Sequence, residues 1–178
     1  MKYIKNRKDF LNESEQYKFG CVMIEVPVSN WKEICASIDP EDIFKVEGDR
    51  SYGLEENPHI TILYGLHKEV TIDQIKQVLE EFKDGIDIEI DGIGIFENKD
   101  FDVVKFNVVP TDSLQSLHNN LSELPNSNEY PEYKPHITIC YTKKGTGKKY
   151  IRDWRYTVNN VNKLCYSLPN GYKEYFSV

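Results

Sequence analysis

The chain has 178 residues, 39% of them hydrophobic and 29% charged, and carries a formal net charge of −7. That composition describes one soluble domain large enough to bury a core and excludes a disordered chain. The acidic balance also speaks against a general binder of long duplex nucleic acid, which requires basic surface.

The N-terminal MKYIKNRKDFLNESEQYKFG is basic but lacks the apolar core of a secretory signal. Further along, no apolar run approaches the ~20 residues needed to span a bilayer. The expected location is the cytoplasm, with no membrane contact. Cys21, Cys35, Cys140 and Cys165 lie far apart in apolar segments, without zinc-ligand spacing, and read as buried reduced thiols.

In chain order, FGCVMIEVPV (19–28) reads as a strand and NWKEICASI as a short helix with Trp31, Ile34, Cys35 and Ile38 on one face. A charged loop leads to PHITILYG, a strand by its β-branched content. Thr71 and Gln74 have capping-box spacing and open a helix with Ile72, Ile75, Val78, Leu79 and Phe82 inward. IDIEIDGIGIFE (86–97) and FDVVKFNVVP (101–110) form a predicted hairpin. Asp112 is placed to cap a helix with Leu114, Leu117, Leu121 and Leu124 inward. A Pro/Asn-rich loop precedes PHITICYT, and a hairpin turning at Pro169-Asn170-Gly171 ends the chain.

The unit strand, helix, loop, PHITI strand thus occurs twice. The expectation is one domain over 1–178 made of two duplicated halves, about 19–97 and 101–178. Its fold class is α+β, with two pseudo-symmetric lobes of antiparallel sheet flanked by helices around a central cleft.

In each PHITI strand, period-2 alternation puts the histidine and threonine on one side and the isoleucines on the other. His59 and Thr61 share a face, as do His136 and Thr138. Pro58 and Pro135 restrict the backbone leading into each histidine. Two imidazoles facing a shared cleft supply the acid and base that phosphodiester cleavage needs near neutral pH. The threonine hydroxyls can hold the phosphate oxygens. No metal or cofactor is expected, because no carboxylate cluster is present to ligate one.

The paired HxT strands in a duplicated chain of this size resemble the 2H phosphoesterase superfamily, metal-independent enzymes acting on phosphodiesters of nucleotides and RNA. The resemblance runs roughly from Phe19 onward and implies that His59 and His136 are catalytic, with Thr61 and Thr138 holding phosphate. The flanks YGLEENPHITILYGL and YPEYKPHITICYTKKGTGKKY are similar to a phage branch that includes the anti-CBASS nucleases, which linearise cyclic di- and trinucleotide immune signals. That likeness implies a small cyclic nucleotide as partner.

Tyr52, Lys134, Lys148, Trp154 and Tyr172 are the candidates for holding its bases and phosphates, the aromatics by stacking. The stretch 142–155 concentrates six basic residues against Asp153 alone, and reads as a patch for a compact anion. His67 and His118 lie outside the motifs and read as solvent-side residues. The competing readings are an enzyme for 2′,3′-cyclic phosphate ends or 2′-5′ linkages, a non-catalytic cyclic-nucleotide sponge, and a plain interaction domain, which leaves the repeat unexplained. Which histidine is acid and which base stays open, as does the oligomeric state.

Overall fold

Apolar alternation over short segments gives strands, and the computed structural model, which describes residues 18–49, 52–130 and 132–177, shows which of them pair. The order is β1 (Gly20–Glu25), α1 (Trp31–Ala36), β2 (His59–Leu66), α2 (Ile72–Leu79), β3 (Ile86–Glu97), β4 (Phe101–Val108), α3 (Asp112–Ser122), β5 (His136–Lys143), β6 (Arg152–Val161), β7 (Lys163–Ser167) and β8 (Lys173–Ser177). The basic N-terminal stretch lies outside the described residues as far as residue 17. Among the described residues no helix is long and apolar enough to cross a membrane.

All eight strands join one sheet in the order β6-β3-β4-β5-β2-β1-β7-β8. Its middle is the β5–β2 seam, and it reads alike outward from there. Each PHITI strand is flanked by the strand that begins its own unit, β1 beside β2 and β4 beside β5. Two further strands complete each lobe. The outer strands are not shared by sequence halves: β3 packs in the β5 lobe, and β7 with β8 in the β2 lobe.

The seam is narrow. β2 and β5 pair in antiparallel register at Ile60 and Ile137. Beyond that point each strand turns to an incoming loop. Tyr141 N–H donates to the Gly53 carbonyl (2.9 Å) and Glu55 N–H to the Ile139 carbonyl (2.9 Å), while Ser127 N–H donates to the Gly65 carbonyl (2.9 Å). Gly65 has φ +107°, and a Cβ there would sit 3.0 Å from the Ser127–Asn128 backbone, so this crossing requires glycine.

One face of the sheet is greasy. Ile60, Ile62, Ile137 and Ile139 are buried with Val22, Ile24, Val104 and Phe106 against Ile34 of α1, Ile75 and Leu79 of α2, and Leu114, Leu117 and Leu121 of α3. The helices cover that face, and the histidine and threonine side chains of both motifs lie on the other.

The capping box of α2 forms as its sequence indicates. At α3 the cap is Thr111, whose hydroxyl accepts from Leu114 N–H (3.4 Å), and Asp112 is the first helical residue. Thr111 takes the role because it still has the extended backbone a cap needs. The segment 152–161, not among the elements expected above, forms the edge strand β6 on β3.

Candidate active site

Strand alternation turns His59, Thr61, His136 and Thr138 to the same side of the seam, all four half-buried. The register through Ile60 and Ile137 crosses the motifs, setting His59 beside Thr138 and Thr61 beside His136. Both rings are anchored identically. The His59 Nδ1–H donates to the Asn57 carbonyl (2.9 Å), and the His136 Nδ1–H to the Lys134 carbonyl (2.8 Å). A carbonyl only accepts, so each Nδ1 carries hydrogen and each Nε2 is left for chemistry. The prolines contribute their carbonyls: Pro58 accepts from Val26 N–H (3.0 Å) and Pro135 from Val108 N–H (3.4 Å), tying each motif to its neighbouring strand.

The two lobes differ in what lies beside this shared core. On β4, Lys105 is the register partner of Thr138, and Asn107 that of His136. The corresponding partners on β1 are Met23 for Thr61 and Glu25 for His59. Lys105 is only 7% exposed. Its ammonium donates to the Asn107 side-chain oxygen and lies 4.4 Å from the centre of the Phe96 ring. The same ring meets His136 edge-on at 4.9 Å. Gly94 makes the arrangement fit, because a Cβ there would lie 2.7 Å from Asn107 Oδ1.

Burial lowers the Lys105 pKa. Burial first, and then the charges of Lys105 and His59, push His136 down to about 4, against the opposing hydrogen bond to Lys134. His136 is therefore a neutral ring at neutral pH. Phe96, Lys105 and Asn107 were not singled out from sequence, although a signal existed. Lys105 and Asn107 are polar at i and i+2 in a strand whose only other polar residue is Asp102 near its start, the same alternation that HxT shows.

The five binding candidates are not gathered in one place. Tyr52 is set edge-on to Phe44, Phe101 and Tyr141, an aromatic group at the far end of β5. Lys134 gives its main chain to His136, while its ammonium pairs with Glu132 (2.9 Å) and is exposed. Lys148 is exposed and pairs with Glu97 (2.8 Å). Trp154 packs on Phe106, on the core side of β4 and opposite Lys105 and Asn107. Tyr172 is 58% exposed at the β7–β8 turn, with its hydroxyl donating to Glu174 (3.2 Å).

The basic stretch requires correction as an anion patch. Lys144 pairs with Asp102 (3.1 Å), Lys149 with Asp42 (2.6 Å) and Arg155 with Asp91 (3.3 Å), while the Arg152 guanidinium lies over Trp154. Asp102 is itself buried and accepts from Gly145 N–H (2.7 Å), so Lys144 fastens the turn after β5, while Lys149 and Arg155 tie that stretch to other elements. His118 is also not a solvent-side residue. Its Nδ1–H donates to the Ile62 carbonyl (2.7 Å) and its ring stacks on Tyr133 at 4.2 Å, tying α3 to β2 and to the segment that leads into β5. His67 bonds Ser127 (2.7 Å) and stacks on Phe19.

The chain matches the family model of the 2′-5′ RNA ligase superfamily over residues 26–160. No curated protein matches its sequence. Among solved structures it is similar to Kluyveromyces marxianus Usb1, at 6% identity and TM-score 0.55, over 92% of this chain and 99% of that one. It is likewise similar to E. coli LigT complexed with 3′-AMP, at 15% identity and TM-score 0.53, over 90% of this chain and 95% of the other. At such identities the likeness speaks for the fold, and the family match covers most of the chain. The chain belongs to the 2′-5′ RNA ligase superfamily, the 2H phosphoesterases.

Proposed function

We propose that this protein is a phosphodiesterase that cleaves the 3′-5′ phosphodiester bonds of small cyclic di- and trinucleotides without a metal ion. Its biological role is then to remove nucleotide immune signals in the cytoplasm of a phage-infected cell, the activity of an anti-CBASS nuclease. One observation carries the chemical part: two identically anchored histidines present Nε2 to one seam, each beside the other motif's threonine. One imidazole takes the proton of the attacking hydroxyl or water, and the other gives a proton to the departing oxygen. Thr61 and Thr138 hold the non-bridging oxygens as charge builds on phosphorus.

Small nucleotides suit this reading. LigT has been solved with 3′-AMP and Usb1 with uridine monophosphate. The choice of cyclic oligonucleotides rests on the flanking sequences of the two motifs. A second reading draws on the family itself, which is described by 2′-5′ RNA ligation: processing of 2′,3′-cyclic phosphate ends or 2′-5′ linkages.

Product analysis by liquid chromatography with mass detection, in excess EDTA, separates the two. The panel is cyclic dinucleotides, cyclic trinucleotides, 2′,3′-cyclic AMP and 2′-5′ oligoadenylate, each with wild type and the His59→Ala/His136→Ala variant. Linearised cyclic di- or trinucleotides, lost in the variant, are expected. Cleavage confined to 2′,3′-cyclic AMP or 2′-5′ oligoadenylate would move the protein to RNA processing, and tight retention of a cyclic nucleotide without turnover would make it a sponge.

A further inference from the structure

We propose that Lys105 is a substrate-binding residue: its ammonium seats a non-bridging oxygen of the scissile phosphate beside Thr138 and makes His136 the general base of the pair. The inference rests on the phosphodiesterase reading and adds an asymmetry to it.

The cations of the basic stretch show what a lysine ordinarily does in this molecule. Lys144, Lys148 and Lys149 each face a carboxylate, as does Lys163, paired with Glu25. Lys105 is more buried than any of them, yet among the described residues no carboxylate pairs with it. Its neighbours are a neutral amide oxygen and the face of Phe96. A buried cation without a counter-charge is costly, and a bound anion relieves that cost. Here the anion's place is defined by register. Lys105 adjoins Thr138, which adjoins His59 across the seam, and Asn107 adjoins His136. A phosphate held between the two motifs lies within the reach of this ammonium.

The duplicated geometry shows that the cation belongs to one lobe only. Met23 occupies the corresponding place beside Thr61, and Glu25 stands where Asn107 stands. The charged and titratable groups facing His136 are Lys105 from β4 and His59 from β2, with the neutral Phe96 ring from β3 and the Lys134 carbonyl beneath it. Both charged neighbours are cationic when protonated, so they oppose protonation of His136. His59 instead has the Glu25 carboxylate as its strand neighbour, itself shared with Lys163.

His136 Nε2 takes the proton from the attacking hydroxyl or water as its oxygen bonds phosphorus. The P–O bond to the leaving nucleoside oxygen breaks, and the imidazolium of His59 gives its Nε2 proton to that oxygen. Lys105 and Thr138 hold the non-bridging oxygens throughout.

Inorganic phosphate serves as the probe, because its binding is read without turnover. In wild type, titrating phosphate should shift the Lys105 side-chain resonance and the His136 ring resonances together. Lys105→Met, which places at this position the side chain found at its counterpart Met23, should weaken phosphate binding about tenfold to a hundredfold. It should also raise the His136 titration midpoint and move the rising limb of kcat/KM to higher pH. Lys76→Met, on the exposed face of α2, controls for net charge and should change neither. A Lys105 resonance unmoved by phosphate in wild type, or equal phosphate affinity in Lys105→Met, would overturn the assignment. A wild type that binds phosphate through Lys105 but turns over no member of the substrate panel would instead remove the phosphodiesterase reading.

Discussion

An imidazole whose Nδ1–H is spent on a carbonyl has one nitrogen left, and its protonation decides what the ring can do. For His136 the environment disfavours the proton: burial first, then the charges of Lys105 and His59, bring it down to about 4. In the unfolded chain the same ring titrates near ~6.5. Between these values the unfolded state binds more protons at this position than the folded state does. The stability that His136 contributes is therefore intact above the unfolded value and is lost as pH falls toward the folded one. Urea melts at several pH values should show wild type losing stability more steeply than His136→Gln between about pH 6.5 and 4. Parallel curves would mean the ring is not depressed. For activity the sign is the same, since a base must be unprotonated, and kcat/KM should keep its rising limb well below the ordinary histidine range.

At the scale of elements, α3 does more than cover the sheet. Thr111 caps it, and His118 on its second turn reaches the Ile62 carbonyl while stacking on Tyr133, two residues before Pro135. Thr111→Ala should cost about 1 kcal/mol in urea denaturation. His118→Ala, which leaves a β2 carbonyl without its donor, should cost about 1–3 kcal/mol. Neither removes a reacting group, so any larger fall in activity than in stability would show that α3 positions the motif strands.

These elements also show what the sequence made legible. Period-2 alternation was enough to place His59, Thr61, His136 and Thr138 on one face, because side-chain direction in a strand is local. Leucine spacing likewise gave the buried face of α3. The edge strand β6 was missed although Trp154, Tyr156 and Val158 alternate toward the core, because the charges of Arg152, Asp153 and Arg155 between and before them made the stretch read as part of a basic patch. The fate of the basic stretch was hidden for another reason. Its partners Asp42, Asp91, Glu97 and Asp102 lie on other elements, and register over such separations is not written in any one segment. Lys105 lay in plain view as a lysine between Val104 and Phe106, but its meaning needed Thr138 beside it.

For the whole molecule, the consequence of the repeat is a sheet with a near-symmetric order and an asymmetric centre. The lobes meet at Ile60 and Ile137, and from there each motif strand parts toward a loop, leaving the polar face open along the seam. Symmetry supplies two anchored histidines and two hydroxyls. Asymmetry supplies Lys105 and Asn107 on one side, Met23 and Glu25 on the other, so that equal rings can take unequal roles. A pair working as one unit has a kinetic signature, because losing either member removes most of what both provide.

The central measurement is therefore the cleavage rate, in excess EDTA, of a turned-over substrate by wild type, His59→Ala, His136→Ala and the double variant, with circular dichroism confirming the fold of each. Each single substitution should lower the rate by about 10²–10⁴-fold. The double variant should be scarcely slower than the worse single one. Full activity in either single variant would contradict the account.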